Sequence, residues 1–233
     1  MLDTVFIFMK RRVIHVLNLK ILRLLPQNRG QGLVELAILL PVILIVLSGL
    51  MEFGLMLNAY LAMQDAARNA ARYASDGLYY SRDSDISCTT TRDFYRQTAC
   101  LVNQELAQER PEITLNLATG DDIIISAFSV GEGGQVTARH PASDGEAGWS
   151  EAADPMGIGS RNQASRFTSN DIESRLYSGA PSTGLVMVEI YYHYEHRLKL
   201  PWITVFVPDP LLLHAYAVMP LVSAEPTPTP FSP

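Results

Sequence analysis

Basic residues and cysteines are both scarce in this chain. Its 233 residues hold 18 Lys and Arg against 24 Asp and Glu, a net charge of −6. Binding to nucleic acid relies on clustered Lys and Arg to neutralise phosphates, so no nucleic-acid partner is expected. The two cysteines, Cys88 and Cys100, form no CxxC pair and have no histidine at metal-ligand spacing. The chain also lacks a nucleophile elbow, a P-loop, an HExxH helix and a GxGxxG turn in context. Neither an enzyme nor a cofactor or metal is therefore expected. Apolar residues make up 48% and aromatics 9%, which is enough for one ordinary domain plus an additional element.

The few basic residues are unevenly placed. Residues 1–30 contain Lys10, Arg11, Arg12, Lys20, Arg23 and Arg29 against Asp3 alone, a net +5 that leaves −11 for the rest. Between the basic head and the acidic body lies a long apolar run, Leu33 to Leu57. Its length suits a transmembrane helix, which needs about 20 residues. Lys and Arg flanking a span stay on the cytoplasmic side. The expectation is a single-pass protein of the cytoplasmic membrane, with its N-terminus inside and its larger part outside, in contact with membrane lipids. Pro41 falls within the run, where a membrane helix tolerates it. The run also holds two carboxylates, Glu35 and Glu52, and a charge in hydrocarbon costs a few kcal/mol at least.

Beyond the run the helical pattern continues to about Ser75. Ala59, Ala62, Met63, Ala66, Ala70 and Ala74 share one side, while Asp65, Arg68 and Arg72 gather opposite. Asp65 and Arg68, three apart, can pair. The stripe that includes Ala66 and Ala70 would let another helix or a sheet approach closely. One helix over residues 31–76 is therefore expected, with its transmembrane segment at 33–57. An ordinary secretory signal cleaved near Asn58–Ala62 is the competing arrangement, although the apolar run is long for it.

A basic leader, then Gly30, Gln31 and a glutamate five residues past the glycine resembles the processing pattern of type IV prepilins. The combination of Val34, Glu35, Ala37, Leu40, Pro41, Glu52, Phe53, Gly54, Ala67, Arg68, Ala71 and Arg72 is similar to the TadE-like family of pseudopilins in tight-adherence (Flp) pilus systems. Leu36 departs from the aromatic residue usual after the glutamate, and Met9 offers a second start that would shorten the leader. The resemblance implies cleavage after Gly30 by a prepilin peptidase, then assembly with other pilins or pseudopilins and the Tad platform, with possible incorporation into a surface pilus. Glu35 would neutralise the new amine of Gln31, in its own chain or in a neighbour; otherwise it reaches the inner headgroups. Glu52, about 25 Å further along a helix, is expected to reach headgroup water at the outer interface; its recurrence in the family implies an assembly contact. An uncleaved single-pass binding or sensing module remains the alternative.

Residues 77–223 read as an extracytoplasmic α+β domain. A helix is expected over Asp93–Gln108. Strands are expected over Ile113–Ala118, Ile123–Val130, Gly184–His196, Ile203–Val207 and His214–Val222. In Gly184–His196, Val186, Val188, Ile190, Tyr192 and Tyr194 share one face, and Met187, Glu189, Tyr191, His193 and Glu195 the other. His193 and His196 thus point apart, which argues against a shared metal. Residues 131–170 read as a flexible, solvated loop whose Asp144, Glu146, Glu151 and Asp154 match no calcium-loop spacing. Residues 224–233 form a proline-rich tail. A Cys88–Cys100 bridge would contribute roughly 3 kcal/mol in the loop-entropy model; two buried thiols are the alternative. The expected fold is α+β and pilin-like: a long N-terminal helix packed on an antiparallel sheet.

Overall fold

A computed structural model describes residues 28–75, 93–178 and 183–221. The leader up to residue 27, Cys88 and the tail lie outside the described residues. The chain divides into two compact units, Met1–Leu50 and Met51–Pro233.

The first element, α1, runs Asn28–Ser75 with Pro41 inside it. Its apolar run is long and apolar enough to cross a membrane, with a window of mean hydropathy 2.7 that is 0% buried within the protein. The unit that begins at Met51 has a different character. Met63, Ala66, Ala67, Ala70, Ala71 and Ala74 are all buried. They join a core built from the second helix, α2 (Phe94–Glu109), and one face of a sheet. Asp93 caps α2, its carboxylate accepting from the amides of Tyr95 and Arg96 at 2.9 and 3.3 Å.

The sheet contains β1 (Asp122–Val130), β2 (Val136–His140), β3 (Trp149–Ser150), β4 (Thr183–Tyr194) and β5 (Leu211–Leu221), all antiparallel. Its order is β2-β1-β4-β5, with β3 also pairing to β1. In register, Ile123, Ile125 and Ala127 lie opposite Ile190, Val188 and Val186, which in turn face Ala215, Ala217 and Met219. These alternate residues form the face turned to the helices. Small alanines on both α1 and β5 let helix and sheet approach closely. The α+β fold with a long helix on an antiparallel sheet is as expected.

Three segments differ from expectation. Ile113–Ala118 forms no strand. The Asn116 side chain instead accepts from Ala118 N at 3.0 Å and opens a short 3-10 turn at Leu117–Thr119, closed by Gly120 at φ +101°. A Cβ at Gly120 would also meet the His193 ring at 3.0 Å. Ile203–Val207 is not a strand either. Pro201 opens a short helix, α4, over Pro201–Thr204, because its fixed φ suits a first helical turn.

The largest difference is at residues 131–170, expected to be a flexible solvated loop. They supply β2, β3 and a 3-10 segment at Ala142–Ala147, and lead into the short helix α3 (Ser169–Glu173). Phe128 and Met187, on the sheet face turned away from α1, pack with Ile172 of α3, with Val136, Phe167, Leu176 and Leu185 around them. Both faces of β4 are buried as a result, including Glu189 and Tyr191 on the face turned away from α1.

Candidate functional site

The site is α1 and what holds it. Gly30 and Gln31 lie in the first turn of this helix. Gly30, Glu35 and Pro41 are exposed, and so are the apolar side chains around them: Leu33 is 69% accessible and Ile38 67%. A continuous apolar surface of this length is satisfied by lipid or by other apolar helices, not by water. Among the described residues, Glu35 has no ion-pair partner. The structure thus brings Gly30, Gln31 and Glu35 onto one helical segment.

Glu52 is placed quite differently, and here the headgroup-water expectation is corrected. Its side chain is buried, at 3% accessibility. Oε1 accepts from the Tyr194 hydroxyl at 2.8 Å and from the Arg197 amide at 2.9 Å; Oε2 accepts from the Leu198 amide at 2.9 Å. His196 Nδ1 stands 3.4 Å from Oε1 without the alignment of a hydrogen bond. The other ring nitrogen, Nε2, is 3.1 Å from the Pro208 carbonyl, and the His196 amide donates to Asp209 at 3.0 Å. Burial, followed by the hydrogen bond to the Glu52 carboxylate, raises the Tyr194 phenol above its usual pKa. Glu52 thus ties α1 to the end of β4 and to the chain leaving it. Three hydrogen bonds to a charged acceptor, each worth about 1.5–3 kcal/mol, offset the desolvation of the carboxylate.

Ala66 and Ala70, at 3% and 1% accessibility, are occupied by the chain's own core. Further polar ties run along the same stretch. Gln64 donates to the Tyr216 carbonyl of β5 at 2.7 Å, Arg110 to Asn58 at 2.9 Å and Asn69 to Glu105 at 3.1 Å. The expected Asp65–Arg68 pair forms at 3.7 Å but is mostly exposed. Cys100 is disulfide-bonded. The two histidines read from the sequence are engaged separately: His193 Nδ1 lies 2.9 Å from Asp121, and His196 sits beside Glu52.

Sequence reasoning did not find the buried polar networks. On the far sheet face, Glu189 Oε1 accepts from the Arg166 amide and the Tyr191 hydroxyl, both at 3.1 Å, and lies 3.0 Å from His214 Nε2. Asp122 accepts from Ser150, Ala152, Asn162 and Gln163. Arg139 spans Glu146, the Phe167 carbonyl and Ser126. Each network joins residues too far apart in sequence to leave a local pattern. The one available hint was the placement of Glu189 within an otherwise apolar strand.

An apolar helix exposed over one half and locked to an antiparallel sheet over the other defines a single-pass membrane-anchored α+β protein. Residues 30–72 match the family model described as TadE-like protein, a stretch that starts at Gly30 and ends within the alanine stripe. Over those residues the chain is similar to the TadE-like family. No curated protein and no solved structure matches the chain.

Proposed function

We propose that this protein is a minor pseudopilin, cleaved after Gly30 by a prepilin peptidase and used in assembling a Tad/Flp-type pilus or related secretion machine. The observation that carries the reading is the exposed apolar half of α1 within a TadE-like match that begins at Gly30. Such a helix is stable in lipid and equally stable packed among the same helices of other subunits, so it can pass from bilayer to filament with little change in apolar burial. Glu35 supplies the polar term. Cleavage creates an amine at Gln31, and a carboxylate one helical turn away in sequence, or on a neighbouring subunit, neutralises it. The leader stays in the cytoplasm, and the unit from Met51 onward stands outside the membrane. Its role is structural, with the peptidase, other pilins and the assembly platform as partners.

Mass spectrometry of the mature chain tests this reading. A mature N-terminus at Gln31, lost in Gly30→Ala, is expected. A start between residues 58 and 65 would identify an ordinary secreted protein. An uncut chain would identify a permanently anchored module.

A further inference from the structure

The connection between β4 and β5 reads Leu200-Pro201-Trp202-Ile203-Thr204-Val205-Phe206-Val207-Pro208, nine residues without a charge. It presents its apolar side chains outward: Phe206 is 85% accessible, Val205 76% and Trp202 40%. Exposed apolar residues grouped in this way mark a contact surface.

Its place in the fold says what covers it. Along α1, Gln64 is tied to Tyr216, the register partner of Glu189, and Glu52 is tied to Tyr194. Twelve helical residues rise about 18 Å, and the five strand residues from Glu189 to Tyr194 rise about 17 Å. So β4 runs alongside α1 in the direction from Gln64 to Glu52. The sheet ladder ends at Tyr194 opposite Leu211. The apolar connection lies past that point, at the end of the unit where the chain joins its membrane-spanning run. Arg197 and Lys199, both exposed, stand just before it, with Lys199 3.4 Å from Glu195.

We infer that the 200–208 connection is a second membrane contact, seated in the outer-leaflet interface. Aromatic and aliphatic side chains preceded by Arg and Lys and followed by Asp209 suit the boundary between headgroups and acyl chains. The apolar run continues from Glu52, which is itself bonded to the Arg197 and Leu198 amides just before the connection. Even a weak apolar contact is therefore populated, because tethering makes it intramolecular. Glu52 takes part as a positioning residue: its carboxylate fixes the Arg197 and Leu198 amides, and hence where the connection leaves the sheet. The contact would set the height and tilt of the extracytoplasmic unit and would have to break when the subunit is drawn out. It requires membrane anchoring but no cleavage after Gly30, so it can fail or hold independently of the pseudopilin reading.

The chain has two tryptophans, Trp149 and Trp202. Trp149 stacks on Tyr95 within the domain and serves as the internal reference. Full-length protein would be reconstituted at high dilution into phosphatidylcholine vesicles carrying acyl chains brominated near the glycerol end or near the methyl end. Trp202, isolated by Trp149→Phe, should be quenched roughly threefold more strongly than Trp149, isolated by Trp202→Phe, and more by the shallow label than by the deep one. Val205→Asp with Phe206→Asp should remove most of that difference while leaving the far-ultraviolet circular dichroism unchanged. Equal quenching of the two tryptophans would overturn the inference. So would protection of Trp202 that appears only at high protein density, because a second copy would then be the occupant.

Discussion

Residues 32–50 and residues 141–168 have exchanged the places their polarity suggests. The first stretch is almost wholly apolar, and nearly all of its side chains point outward. The second is rich in Gly, Ser, Asn and acid, yet Ser150, Ala152 and Asp154 in it are buried against the sheet. The difference lies in what each stretch is offered. An apolar surface needs only another apolar phase, and lipid or neighbouring helices supply one without the rest of the chain. A polar stretch can be buried only where each donor and acceptor finds a partner. Asp122, Arg139, Glu189 and Arg96 provide those partners, the last holding Asp154 at 2.9 Å.

Removing one such partner should break the contrast most sharply. Asp122→Ala leaves three backbone amides and the Ser150 hydroxyl without their acceptor, and should cost about 4 kcal/mol. Urea unfolding of the detergent-solubilised chain reads it; a loss under 1 kcal/mol would mean that the 150–163 segment does not depend on Asp122. Glu52→Ala, which strips the acceptor from Tyr194, Arg197 and Leu198, should cost about 3 kcal/mol in the same assay. In the apolar stretch, Leu39→Asp should instead leave folding of the outer unit intact and impair insertion, by about 3 kcal/mol on insertion scales. Alkaline carbonate extraction measures that loss.

A finer test is pH. Burial, and then the nearby Asp122 and Asp154 charges, push Glu151 up to about 7 against the hydrogen bond from Asn103. Its folded pKa is above its unfolded value near 4.5, so its contribution is fully present below pH 4.5 and is lost as pH rises to about 7. Glu151→Gln should therefore be more stable than the parent by about 2 kcal/mol at pH 8 and about equal to it at pH 4, allowing for partial exposure. Unfolding midpoints at the two pH values decide it. The smallest effect belongs to the exposed Asp65–Arg68 pair. Arg68→Ala should change stability by less than about 0.5 kcal/mol, and a larger loss would show that Arg68 makes a further contact.

Much of the frame was legible in the sequence. The continuous helix, α2, β1, β4 and β5 all rest on local periodicity. Misreadings arose where local preference met a distant partner. Ile203 and Val205 favour a strand, but Pro201 starts a helical turn there. Ile113 and Leu115 alternate, but Asn116 accepts a neighbouring amide and turns the chain. Glu52 was visible as a carboxylate near the end of an apolar run, and nothing local pointed to donors at Tyr194, Arg197 and Leu198.

The sequence by itself determined that one helix is half apolar and half alanine-striped, that a sheet accompanies it, and that Glu35 stands five residues past Gly30. Those properties depend on neighbours within a few turns. Only the tertiary structure decided that Glu52 is a buried tie and not a wetted one, that the polar 141–168 stretch covers the second sheet face, and that Val205 and Phe206 project past the end of the sheet. Each depends on groups more than a hundred residues apart, or on two surfaces meeting. The free energy of a buried carboxylate or an exposed phenylalanine is set by what the fold places beside it.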